Sequence, residues 1–407
     1  MILPLLAALA LVIAAAKIGG WASARLGQPV VLGSLISGLF LGPSVVNVFG
    51  VPYFQSAHVT QALSELGELG VIFLMFTAGL EIQFSDLVQT RRAALLAGAL
   101  GVIVPLGLGA AVTLPFGYDL GRGLFIGIVM AATSVSISAQ TLMELGRLRS
   151  REGLTLLGAA VVDDVLAIAA LSIFVAVALE PNADPLPVVW ILVRMVLFLV
   201  GAFLLGSWLL PRAVRWLEDH DPPISEPVTS LVIVVVLLFA WASEFFGGVA
   251  VITGAFIAGV ALATSPSKER IERGIHAIAY AFFVPIFLIG IGLKADARAL
   301  SPNDLGLAGA IVGVAIVSKP IGAGLGARLG GMSWPAALRV GIGMISRGEV
   351  GLIVASIGVN AGLIGAQAFT AVVLMVLVTT LVTPPLLRLV FGKAEVTHAR
   401  NDRARRR

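Results

Sequence analysis

The sequence predicts an all-α polytopic membrane protein of about 13 transmembrane helices, built from inverted-topology repeats. Three observations predict it. The composition is 58% hydrophobic and only 12% charged over 407 residues, with a mean hydropathy of +1.02, far from the balance of a water-soluble domain. Apolar blocks of roughly 17 to 25 residues recur from end to end, each able to cross a hydrocarbon core of about 30 Å as a helix. Three short segments of the first half return, in order, in the second.

Taken in chain order, breaks at charges and at Pro/Gly-rich turns place span centres near residues 11, 40, 73, 104, 133, 165, 199, 237, 256, 283, 317, 346 and 379. The first block has no Lys or Arg before it and no convincing small-residue cleavage site, so it is read as a retained helix rather than a signal peptide. With the N-terminus outside, one side collects Lys17, Arg25, Arg91, Arg92, Arg147, Arg149, Arg151, Arg212, Arg215, Lys268, Arg270, Arg273, Arg328 and the tail RNDRARRR. The other side holds Arg122, Lys294 and Arg298. Positive-inside bias then selects N-out and C-in. The pI of about 9.8 reflects those loops and a tail facing membrane lipid headgroups, not nucleic-acid binding. No Cys occurs, which excludes thiol chemistry.

The internal repeat pairs GSLISG (33–38) with GAFIAG (254–259), AGLEIQFSDL (78–87) with IGLKADARAL (291–300), and IGIVMA (126–131) with VGIGMI (340–345). Each match is weak, but their order agrees. Partners lie seven spans apart and so cross the membrane in opposite directions, a transporter architecture that places its substrate site where discontinuous helices meet near the midplane. The fifth span, with ATSVSIS (132–138), and the twelfth, with ISRGEVG (345–351), are the candidates for breakage.

Charges inside spans are expensive and therefore informative. Cations fall at Arg194, Lys319, Arg339 and Arg347, and acids at Asp163, Asp164, Glu349 and Glu244. Asp163 and Asp164 are adjacent on the sixth span and point about 100° apart, so one can meet a cation of another helix while its neighbour opens to a water-filled cavity. Lys319, at mid-depth before Pro320, is the best such cation. A static ion pair locking two helices is the plainer alternative. The letters of the sequence offer no second cation as central as Lys319, and competition between a proton and a monovalent metal ion for the other carboxylate is sufficient chemistry for exchange. Arg347 and Glu349 read either as a pair holding the broken segment open or as ion contacts. Thr133, Ser134 and Ser136 offer the oxygens that hard cations prefer, or bonds back to their own helix. His58, His220, His276 and His398 fall near loops or the tail. With no Cys, no central His and no cofactor fingerprint, no cofactor is expected and an enzyme is disfavoured. A channel or ion-gated sensor is the rival from another class, against which the inverted repeat argues.

LGAAVVDDVLAI (157–168), MAATSVSISAQTLMELG (130–146), LGQPVVLGSLISGLFLGP (26–43), LGELGVIFLMFTAGLE (66–81) and GIGMISRGEVGLIVA (341–355) together resemble the NapA-like sodium/proton antiporters of the monovalent cation:proton antiporter superfamily, second branch, over nearly the whole chain. The resemblance implies a homodimer with two crossing discontinuous helices, in which a core domain slides like an elevator against a dimerisation domain. It assigns residues 1–92 and 228–304 to dimerisation, 93–180 and 305–392 to the ion-transport core, 181–227 to a linker helix, and 393–407 to a basic cytoplasmic tail. It makes Asp164 the principal sodium and proton carrier, pairs Asp163 with Lys319 until the ion enters, and puts Thr133 and Ser134 at the crossing. Electroneutral relatives carry Asn before the Asp; the potassium-efflux branch often has Gln there and a cytosolic nucleotide-binding domain, which is not expected here. Ser136 stands where several relatives have Gly. The expected activity is electrogenic exchange of intracellular sodium, or lithium, for external protons across the plasma membrane, with potassium/proton exchange as the runner-up.

Overall fold

A computed structural model describes residues 2–55, 57–179, 186–220, 223, 225–294 and 305–392. All regular elements among them are helical. In chain order they are α1 (Ile2–Arg25), α2 (Val30–Leu41), α3 (Ala57–Leu80), α4 (Phe84–Thr113), α5 (Leu120–Ala131), α6 (Val135–Glu144), α7 (Arg151–Leu179) and α8 (Leu186–His220). The second half holds α9 (Pro227–Ala242), α10 (Val251–Leu262), α11 (Lys268–Ile278), α12 (Val284–Leu293), α13 (Leu305–Leu329), α14 (Trp334–Gly343), α15 (Glu349–Asn360) and α16 (Ala366–Phe391). A π turn at Ser243–Gly247 extends α9, and another at Ala279–Phe283 joins α11 to α12.

Among the described residues, ten helical segments are long and apolar enough to cross a membrane by length and composition, with α5–α6 and α11–α12 each counted as one. Shorter apolar helices at Val30–Leu41, Val251–Leu262 and Val350–Val359 lie where the sequence reading centres further spans. Thirteen crossings require these shorter pieces to cross as well.

The helices pack in two groups. In one, α13 packs on α4, α14 and α16, while α4 also packs on α5 and α7, α15 bridges α5 and α16, and α6 packs on α7 and α16 and borders α2 and α3 of the other group along the seam. In the other, α3 packs on α10 and α12, α2 on α1 and α12, and α10 on α8 and α9. Bare backbone makes both groups tight. A Cβ at Gly326 of α13 would stand 2.1 Å from the carbonyl oxygen of Leu96 on α4. Gly79 of α3 and Gly259 of α10 are reciprocal: a Cβ on either would come within 2.3 Å of a carbonyl oxygen on the other helix. Such close approach is how membrane helices gain dispersion contact where no hydrophobic drive separates protein from lipid.

Burial then sorts the helices. The most apolar windows of α1 and α8 are 17% and 11% buried, whereas that of the α5–α6 segment is 78% buried. The interrupted α5–α6 segment is thus the best shielded of these ten, as non-helical backbone at membrane depth requires.

Candidate functional site: a buried ion pair beside two crossing half-helices

α5 starts on a cap outside the spans, where the Asp119 carboxylate accepts the Arg122 N–H at 3.0 Å. These bonds hold the Asp119 carboxyl below its usual range. The helix stops at Ala131, and residues 132–134 are non-helical before α6 begins. α14 likewise stops at Gly343, and 345–348 are non-helical before α15. Both spans expected to break are broken.

The two breaks meet. Ser134 N donates to the carbonyl of Ser346 at 2.8 Å, and Ser346 Oγ donates back to the carbonyl of Ser134 at 2.6 Å. Ser138 Oγ lies 3.1 Å from Ser346 Oγ and donates to the carbonyl of Gly343. Ser134 and Ser136 hydroxyls are 3.1 Å apart. The crossing is closed by hydroxyls and backbone, with every one of these serines buried.

Helix ends at mid-depth leave carbonyls without intrahelical partners and concentrate partial negative charge there. Arg347, 0% exposed, supplies the compensation. Its Nε donates to Met130 O at the end of α5 at 2.9 Å, and Nη1 donates to Met344 O and Ile345 O just past α14. Nη2 donates to Ala315 O at 3.1 Å and Ser318 Oγ at 3.4 Å on α13. All five guanidinium N–H groups are thereby used. The Arg347 backbone is held in turn, its N–H by Thr379 Oγ1 and its carbonyl by Thr380 Oγ1 of α16. Sequence reasoning singled out Arg347 but looked for an acidic partner; the partners are carbonyls, which no residue letter announces. The backbone of Glu349 opens α15, while its side chain, Arg298, His398 and the tail 393–407 lie outside what the structure describes.

Beside the crossing, Lys319 Nζ of α13 stands 2.6 Å from Asp163 Oδ1 of α7, both side chains 0% exposed. Gly101 of α4 closes over the pair: a Cβ there would lie 3.6 Å from each charged atom. Asp163 Oδ2 is buried and makes no hydrogen bond within the protein. Thr133 is near enough to act on this carboxylate, but its hydroxyl donates to Ala131 O at the end of α5, 3.3 Å away.

Asp164 is only partly buried. It lines a cleft with Met75 of α3, Val135 of α6, and Ile252, Thr253 and Phe256 of α10, at the seam between the two helix groups. It remains within electrostatic reach of Lys319. The helical offset of the two aspartates therefore sends one carboxylate into the core pair and the other to the seam.

The remaining intraspan cations are accounted for locally. Arg339 donates to Glu152 Oε1 of α7 at 2.9 Å and to Val390 O, a partner sequence reasoning missed because Glu152 reads as a loop residue. Arg194 donates to carbonyls at the end of the α9 π turn, including Phe246 O at 2.7 Å. His58 and His220 are exposed, and His276 stacks on Tyr280. No group of three His, Cys, Asp or Glu that could hold a metal ion occurs among the described residues.

Residues 11–392 match the family model described as sodium/hydrogen exchanger, transmembrane. The chain is 37% identical over 384 residues to the Na+/H+-K+ antiporter GerN of Bacillus cereus, covering 94% of this chain and 95% of that protein. It is 34% identical over 380 residues to the Na+/H+ antiporter of Enterococcus hirae, covering 93% and 96%. The fold is that of the sodium proton antiporter MjNhaP1 from Methanocaldococcus jannaschii, with a TM-score of 0.66, 18% identity, and coverage of 96% of this chain and 99% of that one. The motif resemblance, the fold and the full-length match agree: the chain is a multi-pass membrane protein and belongs to the sodium/hydrogen exchanger family.

Proposed function

We propose that the protein exchanges sodium for protons across the plasma membrane, with Asp164 as the group for which the two ions compete. The observation that carries this reading is the division of the paired aspartates: Asp163 is fully buried against Lys319, while Asp164 lines a cleft at the seam between helix groups. A carboxylate reachable from water, beside a neutralised core, can take either a proton or a monovalent cation. Thr133 and Ser134, at the crossing, supply the neutral oxygens in this reading.

The transport cycle proposed is alternating access of elevator type in a homodimer with thirteen crossings, N-terminus outside. The core comprises residues 93–180 and 305–392, and moves against 1–92 and 228–304. The separate packing of the two helix groups supports this division. Exchange is electrogenic, with two protons inward for each sodium outward. One proton rides on Asp164. The other is taken by Asp163 or Lys319 as their pair breaks and re-forms, so titration belongs to the coupled set. A net charge moved per cycle lets the membrane potential contribute about 2.3 kcal/mol per 100 mV.

The test is pH-gradient dequenching in proteoliposomes with sodium, lithium and potassium added in turn. Sodium or lithium is expected to dissipate the gradient, and an imposed potential to change the rate. A rate indifferent to potential overturns the electrogenic cycle; flux without counterflow overturns exchange in favour of a channel. Potassium/proton exchange is the second reading, favoured by one observation: the Bacillus cereus relative is named an Na+/H+-K+ antiporter.

A further inference from the structure

α6 ends on Glu144. A carboxylate in the last turn of a helix faces the negative end of its own dipole, so its placement there runs against local preference. α2 has the complementary problem. Its N-cap is Pro29, which makes no side-chain cap bond, leaving the first N–H groups of a half-buried helix in need of an acceptor. The two problems solve each other. Glu144 Oε2 accepts Val30 N–H at 2.6 Å and Oε1 accepts Val31 N–H at 3.2 Å, across 114 residues of chain and across the seam between helix groups. Gln140, one turn earlier on α6, steadies the carboxylate at 3.0 Å.

A second contact grips the same turn. Gly27 has φ of +68° and no Cβ, and the Arg388 guanidinium of α16 occupies that space, Nη2 lying 2.7 Å from where a Cβ would stand. The α1–α2 turn is therefore held by the core group from two helices, on the arginine-rich face.

α6 is ten residues long, about 15 Å. Its far end begins at Val135, which lines the Asp164 cleft, next to Ser134 at the crossing. One short rigid rod thus joins the Glu144 grip to the ion cleft.

We propose that Glu144 is a latch of the exchange cycle: a positioning residue that caps α2 across the seam in the conformation described here and must let go of it for the core to move. The inference rests on the alternating-access reading above. Charge-assisted capping bonds are individually strong enough to bias such an equilibrium about tenfold or more, yet they can be exchanged for water at a helix end.

The chain contains no Cys, so one introduced thiol reports alone. T253C places it in the Asp164 cleft. Labelling with a membrane-impermeant methanethiosulfonate, applied separately to each face of oriented vesicles, reads access without any gradient or transported ion. Adding E144A to T253C is expected to raise the labelling rate from the arginine-rich face by about tenfold and not from the opposite face, with E144Q, which keeps the shape and a neutral acceptor, in between. Should E144A fail to insert, E144Q carries the same test with a smaller expected rise. An unchanged rate, or an equal rise from both faces, overturns the latch, the second because general loosening does not distinguish sides. Because labelling needs no turnover, a protein that labels as expected but does not exchange ions keeps the latch and loses the exchange reading.

Discussion

Lys319 Nζ and Asp163 Oδ1 are 2.6 Å apart with neither side chain reached by solvent, on helices whose residues are 156 positions apart in the chain. Taking two charges out of water costs several kcal/mol per ion, and removing one partner strands the other. Lys319→Ala is therefore expected to lower stability by about 3–5 kcal/mol, read as a large drop in the melting temperature in detergent. The double variant Asp163→Asn with Lys319→Met should recover most of that loss. If the double variant is as unstable as the single, the cost lies in packing around α13 rather than in an orphaned charge. In the same proteoliposomes, a Lys319 variant that transports but no longer responds to potential assigns Lys319 to charge coupling.

Asp164→Asn separates carrier from scaffold. Asp164 is partly exposed on the cleft, so its neutral isostere should leave the melting temperature close to that of the parent. Exchange measured by pH-gradient dequenching should fall to background for every cation. Retained exchange removes Asp164 from its assigned role.

The aspartate pair was legible from the sequence because its geometry is local: adjacent helical residues diverge by about 100° whatever surrounds them. Lys319 was legible because ionic groups at mid-depth are costly and few, so pairing the central ones is a short search. The breaks in the fifth and twelfth spans were legible as runs of small and polar residues within apolar blocks. What holds the breaks together was not. Ser134 and Ser346 pair through backbone groups, which every residue has, and Arg347 saturates carbonyls freed by helix ends that only the fold defines. Glu144 was passed over for a related reason: its partners are the N–H groups of Val30 and Val31, invisible as letters. Arg339 with Glu152 was missed because the acid reads as the loop end of α7.

Arg347 offers a sharper test of backbone compensation than of charge. Arg347→Lys keeps the positive charge but has three donors for five acceptors. Each carbonyl left unmet costs about 1–3 kcal/mol, so Lys should be strongly destabilising although conservative by charge. Thermal unfolding in detergent checks it. A Lys variant as stable as the parent means that charge alone compensates the helix ends.

Glu81 lies between α3 and α4, just outside the apolar spans. Burial raises its carboxyl pKa above 4.5, an effect opposed by Arg149, reinforced by Glu272 and opposed by Lys268. A raised acid pKa means that the folded state binds the proton more tightly than the unfolded chain. The destabilising charge is absent below pH 4.5 and develops as pH rises through the folded-state value. Glu81→Gln should therefore be more stable than the parent at neutral pH, and the difference should vanish on acidification. Melting temperatures across that range check the sign: a Gln variant that is less stable at neutral pH shows that the Arg149 attraction outweighs burial.

Gly348 tests the crossing itself. Its backbone is extended, with φ of −149° and ψ of −150°, a conformation open to any residue, so the requirement for glycine there is one of space. A Cβ at this position would stand 2.6 Å from Ser134 Cβ and 2.7 Å from Ser134 Oγ, both closer than real contacts allow. Gly348→Ala must push the two extended links apart, and the first bonds to suffer are Ser134 N to Ser346 O and Ser346 Oγ to Ser134 O. The expected outcome is a stable, inserted protein with exchange reduced at least tenfold, because the helix ends beside Asp163 and Asp164 lose their register while the glycine-packed α4–α13 contact is untouched. Gly351→Ala is the control three residues on, where the nearest atom to a Cβ is 3.5 Å away, and it should behave as the parent. Equal activity of the two variants would mean that the crossing tolerates separation and that its bonds do not position the ion site.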